Sequence, residues 1–411
     1  MDVLMLTSEF YPNWGGIGTY VTELARNTSD EMKIHILTPK RTKFGDGQGI
    51  DGATLEGNEL LKLPSGVSIH YLGAARDTFM HYFYFQAACC RRVRLLVKKY
   101  DIDIVHSQNT MPDLFLAPKL LGVPIVTTVH SIEDERLPAV RLAAAASSKR
   151  LSNLERSEKM SLLLGFGLHA AGRVYFRNNR RYIAVSQWTK EQILRHQNVN
   201  AERIRVIPNG VDRNVFTPDN RDRAKEHFPE LADIDNPKLL FFSRMTASKG
   251  AYVLMKAIPR ILDKVDASFV FAGPGQRLPH RAGDHVVQLG YVAHERTPFL
   301  HALADIFTLP SFYENCPLTI LEAMASGRPI VASNINGISE LVTHEKEGLL
   351  TQPGNVNQLV EAIITLIKDD GLRTKLGRNA RRTVQDRNDW KKVAAEVSDY
   401  YTWVLNESSA H

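Results

Sequence analysis

The sequence predicts an α/β protein built from two doubly wound parallel-sheet domains, and three observations carry that prediction. The chain has 411 residues, whereas single hydrophobic cores stop growing at about 250–300. Short apolar runs alternate with helical patterns in both halves, as expected for parallel sheets covered by helices on both faces. Between the two series, Pro208-Asn209-Gly210-Val211-Asp212 punctuates the chain with Pro and Asn-Gly turn chemistry. The boundaries expected are 1–207 for the first domain and 208–386 for the second, with a further segment from about 387 to 411.

In chain order, Val3–Thr7 reads as a strand, followed by a Pro/Gly-rich turn and an amphipathic helix over Thr19–Arg26. Further strands are expected at Met32–Leu37, Val67–Leu72, Ile102–Val105, Pro124–Val129 and Ile204–Ile207. Gly45–Gly57, rich in Gly and Asp, reads as a loop. Residues 131–181 read as a long, largely helical, basic insertion. The second series is Lys238–Phe242, Ser268–Phe271, Asp305–Leu309 and Pro329–Ala332, with a last helix over Trp390–Leu405. Two such domains side by side are expected to bind a ligand at the carboxyl ends of their strands.

Composition narrows the function. Hydrophobic residues make up 44% and charged ones 23%, with 26 Gly and 19 Pro, which excludes collagenous, coiled-coil and wholly disordered chains. No apolar run approaches the ~18 residues of a membrane-spanning helix. The opening Met1–Phe10 lacks a basic n-region and a small-residue cleavage site. Three cysteines, Cys89, Cys90 and Cys316, make no disulfide framework and no C-x-x-C metal spacing. A cytoplasmic chain beginning at Met1 is the expectation. The net charge of +6 is uneven: residues 1–205 carry 27 basic and 20 acidic groups, and Arg91–Arg181 alone carries 16 and 8. An anionic partner for the N-terminal half follows. No helix-turn-helix, zinc or RNA-binding signature supports nucleic acid as that partner.

Three stretches carry candidate chemistry. Gly15 and Gly16 lie between the first strand and first helix, where glycines let backbone N–H groups approach a phosphate; a tight structural turn is the other reading. The loop is not G-x-G-x-x-G, nor is Gly273-Pro274-Gly275, which disfavours a nicotinamide dehydrogenase. Arg244 and Lys249 follow an apolar strand directly, placed to neutralise a diphosphate and its developing charge, although each alone also reads as a solvated cation. In Ser311–Gly327 a strand ends at Pro310, a loop carries Glu314, and a helix beginning near Pro317 carries Glu322. Two carboxylates on different elements can meet different parts of one extended ligand.

With Asp103-Ile104-Val105-His106, Thr128-Val129-His130-Ser131, Ala184-Val185-Ser186, Val206–Asp212 and Gly337 with Glu340, these motifs run almost end to end in one order. In them the chain resembles the large retaining glycosyltransferase family of GT-B fold, glycosyl transferases group 1. Glycogen synthase-like, sucrose synthase-like and phosphatidylinositol mannosyltransferase-like enzymes belong to it. The resemblance implies a hexosyltransferase of glycan biosynthesis that keeps the anomeric configuration and takes a UDP-, GDP- or ADP-linked sugar. It implies that Gly15, Gly16, Arg244, Lys249 and the backbone of Asn315, Cys316, Pro317 and Leu318 meet the donor. Glu314 is expected on the donor sugar, Glu322 on the ribose hydroxyls, Tyr291 near the base, and His130 near the reacting carbon. The last helix is expected to return to the N-terminal domain. Cationic groups and a helix N-terminus can stabilise the departing diphosphate, so no metal or other cofactor is expected, and front-face attack is favoured over a carboxylate nucleophile.

Two departures from the family pattern stand out. The last donor motif reads Asn336-Gly337-Ile338-Ser339-Glu340 with one glycine, and Asn27–Glu31 lacks the usual Gly-His. For the acceptor, Arg76–Tyr100 reads as a helix with an aromatic first half, Phe79, Tyr82, Phe83, Tyr84 and Phe85. Its second half is cationic, with Arg91, Arg92, Arg94, Lys98 and Lys99. This suits an anionic membrane surface and a glycan or lipid-linked acceptor, with Arg91, Arg92 and His106 on the acceptor side; core aromatics beneath a solvated face are the alternative. Two other functions stay open, a sugar-nucleotide 2-epimerase and a catalytically silent scaffold.

Overall fold

Uninterrupted parallel pairing organises both halves of the chain. The structure, a computed structural model, describes residues 1–10, 15–29, 31–41, 61, 63–75, 79–109, 116, 118–146, 175–176, 180–275 and 285–409. The chain forms two units, one comprising residues within 1–132, 166–209 and 390–411, the other residues within 133–165 and 210–389.

The first unit is built on β1 (Asp2–Leu6), β2 (Lys33–Arg41), β3 (Val67–Ala75), β4 (Ile104–Gln108), β5 (Ile125–Val129), β6 (Arg181–Ala184) and β7 (Ile204–Val206). Their order is β3-β2-β1-β4-β5-β6-β7, with each neighbouring pair parallel. β1 reads as a continuous apolar run because both faces are covered: Val3, Leu4, Met5 and Leu6 are fully buried. Helix Phe79–Tyr100 lays Cys89, Val93 and Leu96 on Leu4, Leu6, Leu37 and Val105, a spacing of four then three that puts them on one helical face. Arg91, Arg92, Arg94, Lys98 and Lys99 stay exposed on the same helix. Helix Trp390–Ser409 completes this unit, with the Trp390 ring 5.7 Å from that of Tyr20.

In the second unit β8 (Lys238–Phe242), β9 (Ser268–Ala272), β10 (Val286–Gly290), β11 (Ile306–Leu309), β12 (Ile330–Ser333) and β13 (Gly348–Thr351) run in the order β10-β9-β8-β11-β12-β13. All pairs are again parallel. Helix Glu133–Ala146 groups here through Val140 and Ala143, which pack with Ala247. Three strands escape the sequence reading. β6 and β13 have four residues each and open on Arg and Gly, which leaves an apolar run of only three or fewer, and β10 is largely half-exposed, so its pattern is diluted. Gly45–Gly57, most of the basic insertion beyond Ala146 and the side chains at 79–86 lie outside the described residues. Among the described residues no helix is long and apolar enough to cross a membrane.

Candidate functional site

In the second unit the strand order reverses between β8 and β11, and open α/β sheets bind ligands at the carboxyl ends of strands flanking such a switch. Lys249 follows β8 and Glu314 follows β11. The structure brings these two side chains together: Lys249 Nζ donates to Glu314 Oε1 at 2.6 Å, and Ser311 Oγ donates to the same oxygen at 2.9 Å. The loops are pressed together by their backbones. Phe312 N donates to Ser248 O at 2.8 Å, and Gly250 has φ +78° with Pro310 O only 1.9 Å from where a Cβ would stand. That position needs glycine both for its left-handed backbone and for lack of room.

Gly337, in the turn Asn336–Ser339, leaves a Cβ position 2.0 Å from Glu314 O and 2.6 Å from Asn315 O. The single glycine of this motif therefore abuts the loop that carries Glu314. Cys316 and Asn315 are buried, Pro317 caps helix Leu318–Ala325, and Leu318 is half-buried. Arg244 is exposed and Tyr291 half-buried.

Glu322, on the same helix, is buried, and its Oε2 has no hydrogen-bond partner among the described residues. That oxygen lies 3.3 Å from His301 Nε2. His301 is fully buried, its ring centroid 5.4–5.8 Å from those of Phe216, Phe242 and Phe307. A buried carboxylate oxygen left without a donor costs about 1–3 kcal/mol or more. Glu322 Oε2 therefore keeps the capacity to accept a hydrogen bond. Ser311 and His301 were missed from sequence; Ser311 adjoins Glu314 in the chain, whereas nothing local marks His301.

In the first unit the switch falls between β1 and β4. His130 Nε2 donates to Gln108 Oε1 at 2.9 Å, which leaves Nδ1 as the acceptor of a neutral ring. Its backbone N–H donates to Asn109 Oδ1 at 3.1 Å. Asn109 holds φ +66°, a conformation Asn tolerates better than most residues. The Tyr20 ring meets that of His130 edge-on at 4.8 Å. Burial pushes the His130 imidazole down to about 3. His130 is thus an uncharged hydrogen-bonding group at neutral pH, not a cation for a diphosphate. Gly15 precedes helix Gly16–Asn27, and a Cβ on it would fall 2.3 Å from a Glu9 carboxylate oxygen.

His106, on β4, lies in the interior of the first unit. His106 is fully buried. Its Nε2 accepts from Thr128 Oγ1 at 2.7 Å and from Gln108 Nε2 at 3.3 Å, and its Nδ1 donates to Tyr401 at 2.5 Å. Both ring nitrogens are taken inside the unit, so His106 positions Gln108 and, through it, His130. Burial, and secondarily His130, push its imidazole down to about 3. Gln108 was legible in principle, since it lies two residues from His106 on one strand face; Tyr401 was not. Arg91 and Arg92 are exposed on helix Phe79–Tyr100, and Arg92 lies near His70 of the edge strand β3 and helps depress its pKa.

The chain contains two Asp-x-Asp triplets, Asp101-Ile102-Asp103 and Asp233-Ile234-Asp235. Both precede their strands, β4 and β8, at the amino ends of the sheets, and Asp103 Oδ2 accepts the backbone N–H of Asp2 at 2.7 Å. They therefore stand at the opposite end of their strands from Lys249 and His130. Among the described residues no group of three or more His, Cys, Asp or Glu is placed to hold a metal ion.

Comparison with known proteins fits this arrangement. Residues 236–369 match the family model described as glycosyl transferases group 1, and residues 14–215 the model of glycosyltransferase family 4. An uncharacterized glycosyltransferase of Methanocaldococcus jannaschii is 30% identical over 74% of this chain and 76% of its own. The GDP-mannose-dependent alpha-(1-6)-phosphatidylinositol monomannoside mannosyltransferase of Mycobacterium tuberculosis is 28% identical over 97% of both chains. Among solved structures, sucrose-phosphate synthase from Thermosynechococcus elongatus superposes with a TM-score of 0.77 at 19% identity, covering 99% of each chain. The chain belongs to the group 1 glycosyltransferases and has their GT-B fold of two Rossmann-like units.

Proposed function

We propose that the protein transfers a hexose from a nucleoside diphosphate sugar to an acceptor hydroxyl, with retention of configuration and without a divalent metal. The second unit (residues 208–386 from sequence) is the donor side and the first (1–207, with the last helix) the acceptor side. The observation that carries the reading is the 2.6 Å pair between Lys249 and Glu314, contributed by the two strands at the switch point. A departing diphosphate gathers negative charge. Lys249 is held where it can meet that charge, with Arg244 on the same loop, at the end of the sheet where helix Leu318–Ala325 begins. Glu314 takes donor-sugar hydroxyls once the ammonium turns to the diphosphate, and Glu322 takes the ribose hydroxyls. Neutral His130 accepts a hydroxyl through Nδ1 near the reacting carbon, Gly15 and Gly16 face the donor phosphates, and Tyr291 flanks the base.

A lipid-linked acceptor is supported by the name of the Mycobacterium tuberculosis relative and by the exposed cations of helix Phe79–Tyr100. This makes the protein a peripheral enzyme at an anionic membrane surface. The test is a panel of UDP-, GDP- and ADP-linked sugars with and without lipid extract and EDTA, the product anomer being read by NMR. Lys249→Ala should weaken donor binding and Glu314→Ala should lower turnover as well. Wild-type turnover in Glu314→Ala would overturn the site, an inverted product would overturn retention, and loss of activity in EDTA would overturn metal independence. Absence of co-sedimentation with anionic liposomes at low salt would overturn the membrane reading.

A further inference from the structure

At the opposite end of the second sheet lies a cavity of about 330 Å³ lined by five arginines, Arg221, Arg328, Arg373, Arg378 and Arg381. Asp305 immediately precedes β11, and Arg328 and Pro329 lead into β12, so the cavity sits at the amino ends of the strands. The length of β11, about 13 Å, separates it from the loop that carries Glu314. Two of the guanidiniums are neutralised locally: Arg221 pairs with Asp305 at 2.8 Å and Arg373 with Asp370 at 2.7 Å. Asp305 is also engaged by the backbone N–H of Lys238 at 2.8 Å. Arg328, Arg378 and Arg381 make no ion pair among the described residues.

Arg328 and Arg381 are fixed in place. Arg328 donates through Nε to Ser326 O at 2.7 Å and through Nη1 to Ala304 O at 2.8 Å. Arg381 donates through Nη1 to Phe216 O at 3.4 Å and to Ala325 O. Each keeps further N–H groups without a hydrogen bond, and the Arg378 side chain is exposed with no partner among the described residues. Burial and the neighbouring Arg221 and Arg381 depress Arg328 to about 10, with Asp305 opposing. Gathering like charges in one concavity is unfavourable unless an anion completes it, and rigid guanidiniums match phosphate geometry better than any other side chain.

We propose that this cavity is a second anion site, distinct from the donor site, that takes the phosphate group of a phosphomonoester. Arg328, Arg378 and Arg381 supply its donors. The phosphate can belong to a soluble metabolite or to a lipid headgroup, since both present the same dianionic group.

Titration calorimetry of the full chain with inorganic phosphate, at ionic strength held constant with chloride, tests it. Phosphate should bind saturably. Arg378→Ala, an exposed helix position where alanine is well tolerated, should weaken binding about tenfold, consistent with loss of one charge-assisted contact. Arg328→Lys gives a second reading that keeps the charge and loses the fork. Lys249→Ala should leave phosphate binding unchanged. No saturable binding to about 10 mM phosphate would overturn the proposal. So would binding lost in Lys249→Ala and kept in Arg378→Ala, because the anion would then sit in the donor site. Co-sedimentation with phosphatidylcholine vesicles containing phosphatidic acid, lost in Arg378→Ala, assigns the phosphate to a lipid. Calorimetric binding without vesicle capture assigns it to a soluble ester.

Discussion

Replacing Gly337 by alanine tests how tightly the donor loop is held. The added Cβ would stand 2.0 Å from Glu314 O and 2.6 Å from Asn315 O. Real Cβ contacts do not fall below about 3 Å, so the 314–315 backbone must retreat by about 1 Å. Both offending atoms are main-chain, and no side-chain rotation relieves them. Overpacking of this kind costs about 1–3 kcal/mol, and a 1 Å misplacement of a catalytic group costs about 100-fold in rate. Gly337→Ala should therefore lose about 1–3 kcal/mol in urea denaturation and about two orders of magnitude in donor turnover, because Glu314 and Ser311 move together. Serine at 337 should behave alike, since the clash is with its Cβ. A Gly337→Ala protein with wild-type stability and turnover would refute the close approach and the link from this turn to Glu314.

Stability should fall as pH drops from 7 to 5. His106 and His130 are held near 3 and His70 near 4, chiefly by burial, and His35 is lowered too. Below the unfolded value of about 6.5 the unfolded chain binds more protons than the native one, so fully buried His106 and His130 each remove about 1.4 kcal/mol per pH unit down to pH 5, and His70 and His35 act in the same direction by less. Urea midpoints flat between pH 7 and 5 would contradict this, and His130→Gln should shallow the slope. His301→Phe replaces two buried ring nitrogens lacking hydrogen bonds by hydrocarbon, so thermal stability should hold or rise by about 1 kcal/mol while donor affinity drops as Glu322 loses its neighbour. Destabilisation beyond about 1 kcal/mol would show that the His301–Glu322 contact is a stabilising charge pair. Tyr401→Phe leaves the His106 N–H buried without an acceptor, at about 1–3 kcal/mol, and should lower turnover indirectly through Gln108; a change in donor KM alone would argue against that route.

Lys249 and Glu314 were legible because each lies just beyond a short apolar strand, and neighbouring parallel strands deliver the residues after their carboxyl ends to one place. Gly337 was legible as the surviving glycine of a motif, though not its reason, a carbonyl contact across the chain. The hydrogen bonding of His106 was not legible, because it is completed by Tyr401, 295 residues away, and no local pattern announces that a distant helix will close over a strand. The Asp-x-Asp triplets show the converse. A spacing visible in sequence does not say which end of a strand it occupies, and both triplets fall at the amino ends, away from Lys249 and His130. The arginine cavity was invisible because its members come from four separated stretches and only the fold collects them.

The partnership of His106 with Tyr401 has a consequence for synthesis. The ribosome releases His106 long before Tyr401, and at about 5–20 residues per second the separation of 295 residues takes tens of seconds. During that interval β4 carries an imidazole, and Gln108 beside it, without the final closing partner, while all of 210–389 emerges. The unit begun first is finished last. A nascent chain stalled before Trp390 should hold a protease-sensitive first unit beside an already protected second one.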